Sequence, residues 1–259
     1  MALKKSHLYT IIGFILFFVV LLAMRTKPNE LIEREKTRAL NLQSTDVQSL
    51  RLEAASSLSS SNKARIQILE SELSEAEEAD KVDIYKDLSS VWYDADEIGI
   101  AGYYAEQIAI ANQDATSWGI AGTTYGICIK RSQKDKEKSL CLSKALEALE
   151  NAISLAPNQI DYQLNRAIIL AENPPSDNPM HGVKLLLDLN KNFPKNVSVI
   201  NNIARFALQT NQFDKAEQRL LGALELEPKN KATNCLLVQL YQAIGENSKM
   251  ELYRPNCDL

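Results

Sequence analysis

The chain has 259 residues, of which 45% are hydrophobic and 24% charged, and it carries a formal net charge of −4. That balance offers no global basic face to replace the counterions of a phosphate backbone, which argues against nucleic-acid binding. Only nine glycines and eight prolines occur, and the prolines fall mostly between apolar-periodic segments and rarely inside them, so the expected fold class is all-α.

Residues 1–7 are a short tail carrying Lys4, Lys5 and His7. Leu8 to Met24 reads LYTIIGFILFFVVLLAM, seventeen residues without a charge, with Arg25 and Lys27 behind it. At ~1.5 Å per residue it is about 25 Å long, the short end of what crosses a hydrocarbon core. Tyr9 and the flanking bases extend it by snorkelling. A cleaved signal peptide is the rival reading, but Leu22-Ala23-Met24-Arg25 lacks a small-x-small cleavage site, so residues 8–24 are expected to be a transmembrane anchor. Arg25, Lys27, Arg34, Lys36 and Arg38 outnumber Lys4 and Lys5, and a literal charge count would keep the remainder in the cytoplasm. Long domains translocate largely regardless of such charges, and an apolar segment behind a Lys pair looks like a signal-anchor. The expectation is a single-pass membrane protein whose larger part faces the periplasm.

Residues 25–79 read as a helical linker rich in Glu, Lys, Gln and Ser, broken at Ser56–Asn62 (SSLSSSN). Its Leu and Ile never hold a heptad over three or four repeats, so two amphipathic helices are expected and a coiled coil is not.

From residue 80 to 259 an internal period governs the chain. Pro194 and Pro228 stand 34 residues apart in the matching contexts NFPKN and LEPKN. Between them Ile203, Ala204 and Ala207 precede Ala216, Leu220 and Ala223, the alternation of small and large residues by which two antiparallel helices approach closely. The stretch resembles the tetratricopeptide repeat (TPR) over its full length. Trp118, Ala121, Gly122 and Tyr125 reproduce its first-helix signature, with Ala145, Leu149, Ala152 and Pro157 completing the unit after an insertion around RSQKDKEKS. Ala167, Leu170, Gly182, Leu186, Leu189 and Pro194 give the next, with a shorter insertion in AENPPSDNPMH. A degenerate unit over Leu88, Trp92, Ala101, Ala105 and Ile108 precedes these, and one begun by Leu237 and Tyr241 follows, ending in a short helix and the tail RPNCDL. The resemblance implies a helix-pair solenoid that binds proteins along the groove lined by its first helices.

In that register Asn201, Asn202, Arg205 and Gln209, with Gln239 in the last unit, face the groove, whereas Arg219 lies on a second helix away from it. Amide-rich walls suit the backbone of an extended protein or peptide partner. The groove positions that carry Lys and Asn in the carboxylate clamps of some chaperone adaptors are Gly119 and Leu164 here, which argues against capture of chaperone C-termini. Cys128, Cys141, Cys235 and Cys257 lack metal-site spacing. They are either four small buried residues or two disulfides, Cys128 with Cys141 and Cys235 with Cys257, and other connectivities stay open. His7 and His181 are the only histidines, and no phosphate-binding glycine motif occurs, so no catalysis, metal, cofactor or small-molecule substrate is expected.

Anchor, charged linker and array together, with DNPMHGVKLLLDLNKNFPKN closely followed by ARFALQTNQFDKAE, resemble membrane-anchored TPR proteins of the Bacteroidota. In architecture alone the chain is also similar to the ancillary TPR subunit of the bacterial Sec translocon and to the TPR subunit of the cytochrome c lyase complex. These resemblances imply an envelope scaffold or holdase, with a cytoplasm-facing adaptor or a cytochrome c biogenesis subunit as alternatives.

Overall fold

The computed structural model describes residues 47–258. The apolar segment 8–24 and the linker up to residue 46 lie outside the described residues, and among the described residues no helix is long and apolar enough to cross a membrane. Twelve α-helices and no strand occur among the described residues. Two come first, α1 (Val47–Ala54) and α2 (Ser60–Glu75). Ten more follow as five pairs: α3 (Lys81–Asp94) with α4 (Ile98–Asn112), α5 (Ala115–Arg131) with α6 (Asp135–Leu155), α7 (Ile160–Glu172) with α8 (His181–Asn192), α9 (Val197–Gln209) with α10 (Phe213–Leu226), and α11 (Lys231–Ile244) with α12 (Asn247–Asp258). The chain from Leu50 onward forms one compact unit; of the preceding unit only the first turn of α1 is described.

From α2 onward each helix packs on its chain neighbours, and first helices of successive pairs also touch, α5 on α7 and α9 on α11. This is the nearest-neighbour pattern of a helix-pair solenoid. The linker's serine-rich break contributes both a gap and a start, because Ser59 accepts a hydrogen bond from the Asn62 N–H and caps α2. α2 buries Ile66 and Leu69 and packs on α3.

The matching NFPKN and LEPKN contexts acquire a physical meaning. Asn196 and Asn230 end them, and each is an N-cap whose side chain accepts the backbone N–H three residues on, from Val199 and Thr233, at 3.0 Å. The turn inside a pair repeats as well. Asp96, Asn211 and Gly245 occupy the same repeat position with left-handed φ of 62°, 56° and 78°. In each, the following N–H donates back across the turn to close the helix: Glu97 to Trp92, Gln212 to Ala207 and Glu246 to Tyr241. Asp, Asn and Gly are the residues that tolerate this backbone.

The core follows the small and large alternation. Ala145, Leu149 and Ala152 of α6, Leu186 of α8, and Ala216, Leu220 and Ala223 of α10 are all shut from solvent. Two buried tyrosines stitch one repeat to the preceding second helix, Tyr125 donating to Glu106 at 2.7 Å and Tyr241 to Glu217 at 2.6 Å. Burial, reinforced by the adjacent carboxylate, pushes both phenols above the ordinary tyrosine range.

Two sequence expectations need correction. The insertion around RSQKDKEKS is not a loop: only Ser132–Lys134 separate α5 from α6, and the extra residues lengthen those helices to 17 and 21 residues. The tail RPNCDL is not a tail either, since α12 runs through Pro255 to Asp258. Both features are covalently tied, with Cys128 bonded to Cys141 between α5 and α6 and Cys235 to Cys257 between α11 and α12.

Candidate functional site

First helices α3 and α5 wall a groove of about 500 Å³ whose floor is α4. Its apolar contacts are Tyr93 and Ile120, 37% and 55% exposed, large side chains that the core leaves uncovered. Ala105 and Ile108 of α4 lie beneath, and Lys86, Ser90, Asp94 and Thr124 supply a polar rim. An apolar seat beside hydroxyl and charged groups has the chemistry to receive a peptide side chain while leaving hydrogen-bonding partners for a peptide backbone. Gly119 and Leu164, the positions equivalent to a carboxylate clamp, are both buried.

The residues expected to line the groove on α9 and α11 divide into three kinds. Asn201 is 6% exposed and faces inward: its Nδ2 donates to Asn230 Oδ1 at 3.3 Å, and its Oδ1 lies 2.9 Å from the Thr233 hydroxyl. It joins α9 to the cap of α11 and offers nothing to a ligand. Asn202 and Arg205 are half-buried and bonded to each other at 3.1 Å, with Asn202 also donating to the Ser198 carbonyl. Gln209 and Gln239 are exposed.

Arg205 further reaches across to Glu172 of α7 at 2.7 Å, and the second carboxylate oxygen of Glu172 meets Lys130 of α5 at 3.4 Å. One carboxylate thus links three successive first helices. Its side chain is only 20% exposed, so the pair is screened less than a surface ion pair. Arg205→Ala is therefore expected to cost about 1 kcal/mol in chemical denaturation, whereas Gln209→Ala should change stability by less than ~0.5 kcal/mol. Equal midpoints for the two variants would show that the linkage carries no stability.

Arg219 is not remote from the predicted residues. It lines a second cavity together with Gln209, on the edge where α7 turns into α8 and α9 into α10. Tyr93, Ile120 and Glu172 were not among the sequence candidates. Ile120 was within reach, because it stands two residues past Trp118 as Asn202 stands two past Ile200, in the equivalent repeat position.

No protein-family model matches the chain, and no curated protein matches it by sequence. Solved structures similar to it include TTC0263, a thermophilic TPR protein of Thermus thermophilus, at 17% identity and a TM-score of 0.48, covering 71% of this chain and 90% of that one. PilF of Pseudomonas aeruginosa is 13% identical with a TM-score of 0.43, over 74% of this chain and 88% of its own. YrrB, described as a TPR protein with an unusual peptide-binding site, is 15% identical with a TM-score of 0.44, over 76% and 94%. At these values the neighbours carry no argument about function, and the helix-pair solenoid rests on this chain's own repeats, caps and packing.

Proposed function

We propose that the chain is a membrane-anchored scaffold or chaperone-like adaptor that holds extended segments of other proteins along its first-helix groove, in cell-envelope protein biogenesis. The observation that carries this reading is the groove between α3 and α5, where Tyr93 and Ile120 stand exposed beside a polar rim. Large apolar side chains left open in a recess, next to groups that satisfy a backbone, match the needs of an unfolded segment. The anchor at 8–24 supplies the membrane, and the two disulfides favour an oxidising, periplasm-like side over the cytoplasm. No catalytic step is part of the proposal.

The test uses the full chain in nonionic detergent with reduced, alkylated lysozyme as an extended probe. Ile120→Asp with Tyr93→Ser is expected to lower its affinity by at least about ten-fold while circular dichroism stays unchanged, because a charge replaces the apolar seat. A parent that ignores the probe, or a double variant that binds as well as the parent, ends the groove reading. Orientation is checked separately by protease: an array cut in spheroplasts but spared in intact cells faces the periplasm, and one spared in both faces the cytoplasm.

A further inference from the structure

The second cavity, of about 870 Å³, lies between second helices α8 and α10, with α9 as its floor. Its size falls within the ~300–1,000 Å³ of ordinary ligand clefts. One wall is apolar. Met180 and Leu187 are 53% and 44% exposed there, beside Val183, and Phe206 comes up from the floor.

The opposite wall is cationic. Lys215 and Arg219 stand one turn apart on α10, and among the described residues neither is paired with a carboxylate. The Lys215 ammonium donates to the Gln212 side-chain oxygen at 2.8 Å, and the Arg219 guanidinium donates to the Lys215 carbonyl at 3.2 Å. The acid in the lining, Glu172, is already held between Arg205 and Lys130. Two like charges at i and i+4 repel, so uncompensated cations here are poorly explained by the fold alone. They stand out further in a chain whose net charge is −4.

We propose that this wedge is a docking site for an acidic amphipathic peptide segment, whose apolar side chains enter against Met180, Leu187 and Phe206 while its carboxylates pair with Lys215 and Arg219. Charge complementarity selects the sign of the partner, and shape selects its class. A recess between two helices receives a chain segment, whereas a flat anionic membrane is met by a protruding surface. The wedge shares no lining residue with the groove between α3 and α5, so this inference stands apart from the proposed function.

The experiment measures fluorescence anisotropy of short labelled peptides with the full chain in nonionic detergent. Three probes are compared: one alternating Leu and Phe anchors with Glu, one with Lys in place of Glu, and one with Ser in place of the anchors. The first is expected to bind at least about ten-fold tighter than the others, and to weaken as salt is raised. Lys215→Glu with Arg219→Glu should remove that preference, and Leu187→Ser should weaken binding several-fold, while Ile120→Asp leaves the preference for Glu over Lys in place. The proposal is overturned by equal binding of the Lys probe, by a charge-reversed variant that binds like the parent, or by loss of that preference in Ile120→Asp. Displacement of the peptide by equimolar short-chain phosphatidylglycerol would also overturn it, by assigning the cations to a lipid headgroup.

Discussion

Among the described glycines, Gly182 is the one at which an added methyl group is expected to do the most damage, as Gly182→Ala. A Cβ built on Gly182 would lie 2.1 Å from the backbone nitrogen of Ala171 and 2.5 Å from the Leu170 carbonyl carbon, both on α7. No rotamer change relieves this, because the obstructing atoms are main chain and not the end of a flexible side chain. The two helices must move apart, which opens the layer formed by Leu164, Ala167 and Leu186. Overpacking ordinarily costs about 1–3 kcal/mol, and a backbone collision belongs at or above the upper end. Gly222 is the control, for nothing lies within 4 Å of its Cβ position in the middle of α10. Gly222→Ala should stabilise by roughly 0.5–1 kcal/mol through helix propensity alone. Two Gly→Ala changes of opposite sign in thermal and urea melts would establish the helix contact. A Gly182→Ala variant as stable as the parent would mean that α7 and α8 do not approach as described.

Replacing Cys235 and Cys257 together with serine is expected to release α12. The bond closes a separation of 22 residues, for which loop-closure entropy gives about 3 kcal/mol. Little else holds the helix. None of its residues up to Cys257 is fully buried, Leu252 is 69% exposed, and Met250 and Tyr253 are only partly covered against the last core cluster. The ring of Tyr253 stacks on Tyr241 at 5.7 Å, a contact worth about 1 kcal/mol. Pro255 sits inside the helix without an N–H to donate. Amide exchange should therefore accelerate throughout α12 in the serine variant and stay unchanged in α5 and α6, whose own bond is intact. Protection of α12 equal to that of the parent would show that packing alone suffices. Release would also uncover Leu237, Leu240 and Tyr241, the apolar end that a terminal helix exists to cover.

The repeat period and its prolines were readable in the residues because they are local: each Pro-Lys-Asn ends one helix and caps the next within a few positions. The lengthened α5 and α6 were also written there, since no glycine or proline occurs between Gly126 and Pro157. A fixed repeat length led instead to a loop, although uninterrupted helix formers propagate a helix at little cost. The inward turn of Asn201 was not readable, because its partners Asn230 and Thr233 lie 29 and 32 residues away and meet it only after two repeats stack. Arg205 and Glu172, 33 residues apart, pose the same difficulty. Register places a side chain on a helix face, but whether solvent or a neighbouring repeat satisfies it depends on contacts of long sequence separation.

The two cysteine bonds also set how far the array can be drawn out under tension. A stack of repeats bears load in series, so each pair yields its own length of chain when it gives way. Loops enclosed by a covalent link carry no load and contribute no extension. Separations of 13 and 22 residues are withheld in this way, together about 120 Å at ~3.5 Å per residue. The tethers sit in the second and fifth pairs and leave α7 to α10 free of any crosslink. A pull applied between the two ends of the array would thus be met by a middle that stretches and by second and last pairs that are held short.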